Sequence, residues 1–576
     1  MADCGNPEDF LVVSAIDFGT TYSGYAFALR DTPNDIYSPS TWYAGGSTLA
    51  SLKTPTCILL KEDKSFDCFG YEAQNKYASL AEDGKHGDYY FFEQFKMILH
   101  QNRTLSRGTM IEAIDGKILP AIRIFSLSIG FFKEHILKTL TDRIPNICLE
   151  DIRFVLTVPA IWDDKAKQFM REAAVNAGID GDRLMLAFEP EAASIYCAGL
   201  PVEKLQGGEG FTEAPNGTRY LIADIGGGTA DFCVHEKISK EEVKEVYKAS
   251  GGAFGGMYVN KEYKEFLKKI FGRQSLQKLQ LRDMGDFLDI ERSFEVKKRD
   301  AKSEIHGNVT IRIPFNLVEI SKAEFPNLAE HTAEVFGTDE VSVMWDKIKI
   351  NSEIFQTFFR KSIDGITDYM NEIIKEIPNI SMILLVGGFA ESSILQTSIK
   401  NRFMEQNLII PEQPGLSVVK GAVMYGYNPT KIFSRILRYT YGTSHNLAFD
   451  PNKHPTDRKY MYINEDGKER CRGTFDMLVS KGASLKSTGK VISKQSAPFN
   501  RSTNTSETRI YYSEEKDPYF IEQCTLLGKV RLRVPPYTGK RRVVQKSFTF
   551  GRTEIAVVCT FLETGESIKA SFDLLE

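Results

Sequence analysis

Two segments of this sequence repeat one short pattern, and this repeat constrains the fold more than any other feature. In residues 15–21, and again in residues 223–229, an apolar stretch ends in an aspartate that is followed by a turn containing glycine and threonine. Either segment alone also fits an ordinary hairpin turn, because Asp and Gly are common in turns. Since both carry Asp, Gly and Thr in the same order, we expect two related lobes whose turns face each other.

The residues of these two turns favour the binding of an anion. Glycine lets the backbone approach an anion closely, and the successive N–H groups of a tight turn form a concave anion-binding surface. Asp17 and Asp224 would repel a phosphate on their own, but a hydrated Mg²⁺ ion between them would convert that repulsion into a bridge. Two facing turns of this kind predict a site for a di- or triphosphate, with both aspartates oriented towards one metal ion.

Two further glycine-containing segments fit the same picture less specifically. Gly387 and Gly388 end a buried apolar strand, but such turns close many α/β strands. A cluster that begins with Gly251 and Gly252 precedes a helical segment. It suits the close approach of a phosphate or ribose, and a flexible loop explains it as well.

Composition excludes several other classes of protein. The 72 Lys and Arg residues against 76 Asp and Glu residues give a net charge of −4, which argues against a nucleic-acid binder. No signal peptide is recognisable, and no window reaches the run of about 20 apolar residues that a transmembrane helix needs. The nine cysteines are scattered, without the spacing of a metal site. We therefore expect a reduced, cytoplasmic protein without a transmembrane segment.

The chain changes character near residue 430. Before it, strand-like segments such as 152–158 and 382–386 alternate with helical segments such as the one between Asp163 and Gly178, which is typical of an α/β architecture. After it, apolar and polar residues alternate with the period of a strand, and residues 553–562 and 567–574 form a hairpin pattern. We expect an all-β, sandwich-like domain over residues 433–576, with a mobile loop at 487–506.

Together, these segments resemble the ATPase of the actin, hexokinase and 70-kDa heat-shock protein superfamily. Residues 156–160, 188–193 and 224–231 resemble its heat-shock branch. Residues 15–25, 92–97 and 417–423 are similar to the divergent "heat shock 70 kDa protein 12" subfamily. The resemblance covers nearly the whole chain and is looser after residue 430.

The resemblance implies an α/β fold with two domains. A two-lobed, actin-like nucleotide-binding domain would occupy residues 1–430, with lobe I at about 1–200 plus a returning segment and lobe II at about 218–430. A β-sandwich-like domain over residues 433–576, with no recognisable α-helical lid, would follow and bind the partner.

The resemblance also assigns roles at matching positions, with ATP or ADP and Mg²⁺ as the implied cofactors. Asp17 and Asp224 would orient Mg²⁺ through water. The catalytic residues Lys96, Glu189 and Asp231 would position the attacking water and the γ-phosphate. Lys298 and Arg299 would pack on the adenine, but these two residues also fit a solvated helix face. The implied nucleotide-binding residues are Asp17, Gly19, Thr20, Thr21, Tyr22, Asp224, Gly226, Gly227, Gly228, Thr229, Gly251, Gly252, Lys298, Arg299, Gly387 and Gly388.

Several positions depart from the family pattern. Lys167 stands where the family has an arginine after the switch proline, and it lacks the bidentate geometry of a guanidinium. Glu391 replaces an arginine beside the third glycine turn, and Gly415 replaces an aspartate. The hydrophobic interdomain linker is not recognisable between residues 428 and 441. We therefore expect weakened communication between the nucleotide site and the second domain.

The sequence leaves three functions open. The first is an atypical, stress-response chaperone that binds ATP, hydrolyses it slowly to ADP and phosphate, and thereby gates the β-domain for a peptide or protein client, with a co-chaperone as a further partner. The second is a nucleotide-gated scaffold with little or no turnover. The third is a sugar or acid kinase on the same fold, but the sequence offers no catalytic aspartate aimed at a substrate hydroxyl. Nucleic acid is not an expected partner.

Overall fold

Strands and helices alternate through the first part of the chain and strands dominate the last. The structure, a computed structural model, describes residues 10–39, 42–43, 50–100, 102, 104–304, 307–457, 459–463, 467–496, 504–534, 542–570 and 573–575. Both kinds of element are present in several sheets and layers, so the fold is mixed α/β, as predicted.

The α-helices described in residues 12–206 are α1 (Tyr71–Glu82), α2 (Ala121–Thr141), α3 (Asp164–Asn176) and α4 (Glu189–Ala198). Their strands are β1 (Val12–Asp17), β2 (Tyr22–Leu29), β3 (Thr32–Tyr37), β4 (Trp42–Tyr43), β5 (Ala50–Ser51), β6 (Thr54–Pro55), β7 (Cys57–Leu60), β8 (Phe66–Phe69), β9 (Tyr90–Glu93), β10 (Met110–Glu112), β11 (Ile118–Pro120), β12 (Ile152–Val158), β13 (Leu184–Phe188) and β14 (Leu205–Gln206).

Residues 219–436 contain the helices α5 (Met257–Phe271), α6 (Arg273–Arg282), α7 (Met284–Asp300), α8 (Phe315–Ser321), α9 (Leu328–Phe336), α10 (Ser352–Glu376), α11 (Ser393–Arg402) and α12 (Ser417–Tyr427). Their strands are β15 (Arg219–Ile225), β16 (Ala230–Lys237), β17 (Val243–Gly252), β18 (Asn308–Arg312), β19 (Val341–Val343), β20 (Lys347–Asn351), β21 (Ile380–Val386), β22 (Asn407–Pro411) and β23 (Ile432–Ile436).

The remaining strands are β24 (Thr440–Ala448), β25 (Met461–Ile463), β26 (Glu469–Val479), β27 (Ser484–Lys486), β28 (Lys490–Ser496), β29 (Thr505–Ser513), β30 (Thr525–Arg533), β31 (Val544–Phe550), β32 (Ala556–Phe561) and β33 (Ser567–Ala570). We refer to residues 437–575 as the β-rich region.

The two largest sheets of the α/β part have the same arrangement around their aspartates. In the sheet β13-β12-β1-β2-β3, β1 pairs in parallel with β12 and antiparallel with β2. In the sheet β14-β22-β21-β15-β16-β17-β23-β27, β15 pairs in parallel with β21 and antiparallel with β16. Asp17 is the last residue of β1 and Asp224 the penultimate residue of β15. The repeated sequence pattern therefore corresponds to a repeated local topology.

The helix α3 illustrates how local sequence fixes an element. The Asp163 side chain accepts a hydrogen bond from the Ala166 N–H at 2.8 Å and so caps the helix. Phe169 and Met170 are fully buried on one face, and Gly178, with a φ of 84°, ends the helix in the left-handed region. The predicted helix is confirmed.

An apolar core common to both sheets contains the helices α4 and α12. Val13 of β1 and Ile222 of β15 belong to this one core. A Cβ atom on Gly421 of α12 would lie 1.7 Å from the Ala192 carbonyl oxygen of α4, so the two helix backbones are in direct contact. Glycine is required at this crossing because any side chain would push the helices apart.

The β-rich region consists mainly of two sheets, β25-β26-β24-β29-β30 and β28-β31-β32-β33, which share an apolar core. The predicted hairpin is confirmed, since Thr560 of β32 pairs with Ser567 of β33. The predicted mobile loop at 487–506 is wrong for its first half, because Lys490–Ser496 forms β28 and pairs with β31 along its whole length. Residues 497–503 lie outside the described residues.

The segment in which no linker was recognised contains a strand of the second sheet. Strand β23 pairs in parallel with β17 and antiparallel with β27, which comes from the β-rich region. Lys167 of α3 donates a hydrogen bond to the Thr553 carbonyl oxygen at 3.0 Å, and Arg171 forms a bidentate ion pair with Glu554. The β-rich region is thus connected to the α/β part by a shared sheet and by polar contacts to α3.

None of the helices within the described ranges is both long enough and apolar enough to cross a membrane.

We expect Gly421→Ala to destabilise the protein by roughly 1–3 kcal/mol, because the added methyl group overpacks the α4–α12 crossing. Gly130→Ala is the matched control in the interior of α2, where the nearest described atom to the new Cβ outside the helix's own backbone would be Ala177 Cβ at 3.9 Å. Alanine there should be neutral or stabilising by about 0.5–1 kcal/mol. Urea denaturation followed by circular dichroism measures both effects, and equal midpoints for the two variants would contradict the crossing argument.

Candidate functional site

The first turn (residues 18–21) and the second turn (residues 226–229) lie against each other. A Cβ atom on Gly227 would lie 2.1 Å from Thr21 Oγ1, and one on Gly228 would lie 2.7 Å from Thr20 Oγ1. These glycines therefore allow the hydroxyls of the first turn to reach the backbone of the second. The structure brings together the two turns that the sequence predicts to face each other. We call the region where they meet, with the strand ends that carry Asp17 and Asp224, the cleft.

Each turn is held in shape by local hydrogen bonds. The Thr56 hydroxyl donates to the Gly19 carbonyl oxygen at 2.9 Å, and the Gly226 N–H donates to the Thr229 carbonyl oxygen at 2.9 Å. A Cβ atom on Gly19 would lie 2.1 Å from the Tyr22 carbonyl oxygen. The first turn is thus too tight for a side chain at this position.

Four carboxylates lie beside the cleft: those of Asp17, Asp224 and Asp231 are buried, and that of Glu189 is 12% exposed. Burial raises the pKa of Asp224 well above its ordinary value, and the charges of Glu189, Asp231 and Asp17 raise it further. Burial and the charge of Glu189 raise the pKa of Asp231 to about 7. Burial, followed by the charge of Asp17, outweighs Lys96 and raises the pKa of Glu189. The predicted acidic residues therefore share one electrostatic environment.

Two lysines oppose this negative charge. Lys96 is buried, donates to Glu189 Oε1 at 2.9 Å and lies over the Trp162 ring at 5.0 Å. Lys53 Nζ lies 2.5 Å from Asp17 Oδ2, while the Thr157 hydroxyl donates to Asp17 Oδ1 at 3.1 Å. Sequence reasoning identified Lys96 and missed Lys53.

Lys53 carries no sequence signal of its own. It lies between the short strands β5 and β6, and the pairing of β6 with β2 brings it beside Asp17. That pairing joins segments with no recognisable relation in the sequence, so only the folded register identifies this lysine as a site residue.

The other predicted glycines have different positions. Gly387, with a φ of 93°, approaches Asp224 so closely that a Cβ atom would lie 2.5 Å from its Oδ1. Among the described residues other than its chain neighbours, Gly388 has no atom within 4 Å of its Cβ position, which leaves open space beside it. Gly251 and Gly252 are not in a loop, because they end strand β17 and pair with Asp231 and the residue before it. The flexible-loop interpretation of these two glycines is therefore wrong.

The glycines that follow β17 support the second turn. The Gly256 N–H donates to the Gly226 carbonyl oxygen at 3.1 Å, and the Met257 N–H donates to the Gly227 carbonyl oxygen at 2.8 Å. A Cβ atom on Gly255 would lie 2.4 Å from the Gly227 carbonyl oxygen. The start of α5 is thus packed directly on the second turn.

Lys298 and Arg299 connect α7 with neighbouring elements. Lys298 is buried and donates to Asn260 Oδ1 at 2.8 Å, so a solvated helix face does not describe it. It also pairs with Glu295 at 2.6 Å. The Arg299 guanidinium lies 4.5 Å from the centre of the Tyr22 ring, next to the first turn. Their predicted contact with adenine stays a prediction.

Glu391 and Gly415, two positions at which the sequence departs from the family pattern, are neighbours in the structure. A Cβ atom on Gly415 would lie 2.8 Å from Glu391 Oε1, and the Gly388 Cα is 3.7 Å away from the same position. The carboxylate of Glu391 therefore borders the open space beside Gly388.

A second polar cluster connects the cleft with the β-rich region. Asp231 Oδ1 accepts from the Ile161 N–H at 3.4 Å. Arg435 of β23 donates to both carboxylate oxygens of buried Glu191, at 2.6 and 2.7 Å, and to the Gly551 carbonyl oxygen at 3.0 Å. These contacts begin two residues from Glu189 and end in the β-rich region.

The donor set of the cleft fits a hydrated divalent cation. Two of its four carboxylates are balanced by lysines, and the remainder leaves an excess of negative charge in a buried place. Magnesium keeps several waters and uses few carboxylates, so it does not require a cluster of direct ligands. Within the described ranges, no group of three or more His, Cys, Asp or Glu side chains is arranged to hold a metal ion directly.

Comparison with known proteins identifies the family. Heat shock 70 kDa protein 12A from Homo sapiens is 31% identical, and the match covers 99% of this chain and 92% of that protein. The chain belongs to the heat shock 70 kDa protein family. Heat shock 70 kDa protein 12B from Homo sapiens is also 31% identical, over 98% of this chain and 91% of that protein.

More distant similarities agree with this assignment. Chaperone protein DnaK from Stenotrophomonas maltophilia (strain R551-3) is 26% identical over 47% of this chain and 38% of that protein. A family described as "Domain of unknown function (DUF8340)" matches residues 214–413. The predicted resemblance to the heat-shock branch and to its subfamily 12 is confirmed.

We expect Asp231→Asn to stabilise the folded protein, with a gain that increases from pH 5 to pH 8. The pKa of Asp231 is about 7 in the folded chain against an ordinary value of 3.8, so the folded chain holds a proton that the unfolded chain has released. Stability is therefore lost as the pH rises through the folded-state value, and asparagine removes this loss. The gain should grow by roughly 2–3 kcal/mol between pH 5 and pH 8, with most of the increase below pH 7.

Scanning calorimetry without nucleotide at pH 5, 6.5 and 8 measures this dependence. Asp339→Asn, at an exposed position, is the matched control and should show no such trend. A gain that is independent of pH would contradict the buried-proton explanation.

Proposed function

We propose that this protein is an atypical chaperone of the heat shock 70 kDa family that binds and hydrolyses ATP and whose nucleotide state gates the β-rich region for a peptide or protein partner. The observation that carries this proposal is the contact between the two Gly/Thr turns, with Asp17 and Asp224 at the adjoining strand ends. The nucleotide-binding domain would span residues 1–430 in two lobes, and the partner-binding domain residues 433–576.

The backbone of the two turns would hold the phosphates. Their N–H groups and the hydroxyls of Thr20, Thr21 and Thr229 are the donors that a triphosphate needs. Gly387 and Gly388 leave room for the adenosine beside Asp224, and Arg299 with Tyr22 would border the base. This arrangement uses both turns for one ligand, which explains why both carry the same residues.

Asp17 and Asp224 would hold Mg²⁺ through water, and the ion would supply charge neutralisation to the phosphates. Glu189 and Asp231 would orient the attacking water and accept its proton, because their raised pKa values bring them closer to neutrality than ordinary carboxylates. Lys96 would stabilise the negative charge on the γ-phosphate, and its hydrogen bond to Glu189 would break as it turned towards the phosphate. Trp162 shields the lysine from solvent.

The gating would pass through Arg435. Because Arg435 pairs with Glu191 and also binds Gly551, a movement of α4 relative to the cleft would displace Arg435 and, through it, the segment around Gly551 in the β-rich region. Burial, followed by the charge of Glu191, raises the pKa of the neighbouring Glu245 to about 8, and this side chain accepts from the Ile436 N–H at 2.7 Å. Removing one partner of a buried ion pair such as Arg435–Glu191 typically costs about 3–5 kcal/mol, so this pair would stay intact when α4 moves.

A nucleotide-gated scaffold with little turnover is the second candidate. The observation that favours it is the ion pair of Lys53 with Asp17, since Lys53 occupies one oxygen of a carboxylate that Mg²⁺ would need. A protein with such an internal cation can bind the triphosphate charge without a metal ion and without the geometry for hydrolysis.

We expect Glu189→Gln to retain ATP binding and to reduce hydrolysis by a factor on the order of 10²–10⁴, because glutamine keeps the shape but cannot accept the proton. Single-turnover hydrolysis of radiolabelled ATP with Mg²⁺ measures the rate, and calorimetric titration measures the affinity. Glu209→Gln, exposed and remote from the cleft, is the control. Binding without hydrolysis by the unaltered protein would favour the scaffold, and absence of binding would overturn both functions.

We expect Lys53→Met to make nucleotide binding more dependent on Mg²⁺ than it is in the unaltered protein. Without the lysine, the triphosphate would meet an unbalanced Asp17, so the affinity for ATP in EDTA should fall by about tenfold or more relative to the unaltered protein. With Mg²⁺ present the loss should be several times smaller. Titration with and without Mg²⁺ measures both, with exposed Lys278→Met as the control. Equal losses in the two conditions would contradict a compensating role for Lys53.

A further inference from the structure

A cavity of about 650 Å³ opens between the two sheets of the β-rich region, and many of the side chains that line it are charged. Strands of both sheets contribute to it, among them β24, β26 and β29 on one side and β28 and β31 on the other. Its volume is within the range of about 300–1,000 Å³ that is typical of ligand pockets. Eight of its lining residues carry charged side chains, so a purely apolar peptide is not the ligand it suits best.

Lys546 is the feature that distinguishes this cavity. It occupies an inward-facing position of β31, between buried Val544 and Phe548, and only 2% of its surface is exposed. Its amino group donates to the Ser506 hydroxyl at 3.0 Å and to the Thr508 hydroxyl. Within the described ranges no carboxylate pairs with it, and one of its three N–H donors has no acceptor.

A buried ammonium group with only neutral partners is costly. Burial lowers the pKa of Lys546, which is the direction expected when the charged form lacks a counter-ion. The acidic residues that line the cavity do not supply one, because Asp476 pairs with Lys494, Glu507 with Arg509, and Glu522 with Lys459. The lining therefore contains more cations than anions.

A second group points to a ligand independently. The hydroxyl of Ser496, at the end of β28, is buried and lines the same cavity, and among the residues that the structure describes it has no hydrogen-bond partner. Arg472 also lines the cavity and, within the described ranges, lies over the Tyr462 ring without pairing with a carboxylate. A hydroxyl donor, a buried ammonium and a guanidinium around one space are the groups that bind a carboxylate.

We infer that this cavity binds an acidic peptide segment of a partner protein, with one aspartate or glutamate carboxylate seated on Lys546 and Ser496 and with Arg472 attracting further acidic side chains. This inference rests on the proposed function, because it specifies the chemistry of the partner that the β-rich region would bind. Tyr460 and Tyr511 also line the cavity and supply flat surfaces against which the peptide backbone can pack.

The experiment compares two fluorescein-labelled decapeptides by anisotropy, one containing four Asp and Glu residues and one with the corresponding Asn and Gln residues. The full chain is used without nucleotide, with ATP and with ADP. We expect the acidic peptide to bind at least tenfold more tightly than its amide counterpart, and its affinity to fall as NaCl is raised. An equal affinity for both peptides would overturn the inference.

Lys546→Met tests the buried cation directly. Methionine is close in length and uncharged, so the sandwich core should keep or gain thermal stability while the acidic peptide loses at least tenfold in affinity. Lys490→Met, at an exposed position of the neighbouring strand β28, should change affinity by less than twofold. Ser496→Ala should lose severalfold and provides a second variant if Lys546→Met fails to fold. Unchanged affinity in a folded Lys546→Met variant would overturn the inference.

Two further measurements distinguish a failure of this inference from a failure of the proposed function. Succinate and inorganic phosphate are added as competitors, and displacement of the peptide at concentrations near the peptide's own would mean that the ligand is a small anion, which overturns the peptide assignment. A Leu- and Val-rich decapeptide is the third probe. If it binds in an ATP-dependent manner and the acidic peptide does not, the inference fails while the proposed function stands.

Discussion

The first and second turns can touch only because glycine occupies the contact positions, and this approach brings four carboxylates into a small, largely buried volume. Burial of like charges is unfavourable, so the folded protein offsets it with Lys53 and Lys96 and by keeping protons on some of the carboxyl groups. The remaining negative charge makes the cleft attractive to a cation. The apolar core around α4 and α12 supplies the stability that holds the two sheets in this position.

Polar contacts extend from this region into the β-rich region. Glu191 lies at the start of α4, two residues beyond Glu189, and its bidentate partner Arg435 lies on β23, which belongs to the same sheet as Asp224. Lys167 was expected to weaken communication because it lacks a guanidinium fork. In the structure it binds the Thr553 carbonyl oxygen directly, and the neighbouring Arg171 pairs with Glu554. The contact with the β-rich region therefore does not depend on an arginine at position 167.

The parts of the fold that sequence predicts well depend on local signals. The turns, the cap of α3 and the β32–β33 hairpin are each determined by residues a few positions apart. Lys53, Arg435 and Lys546 were not predicted, because each meets its partners through pairing of strands far apart in the chain. The segment 487–506 was misjudged for a related reason: its polar composition suggests a loop, but β28 lies beside β31, where the ladder and one buried face stabilise it.

The pairing of β23 with both β17 and β27 has a consequence for how the chain can be divided. A cut at residue 430, where composition changes, would remove β23 and leave β17 as an exposed sheet edge. It would also separate Glu191 from Arg435 and Glu245 from the Ile436 N–H, so two acidic side chains would lose the groups that satisfy them. The position at which the composition changes therefore differs from the position at which the chain could be divided without breaking native contacts. Residues 432–436 belong to the first part by hydrogen bonding and to the second by chain order, and neither fragment would retain its native surface.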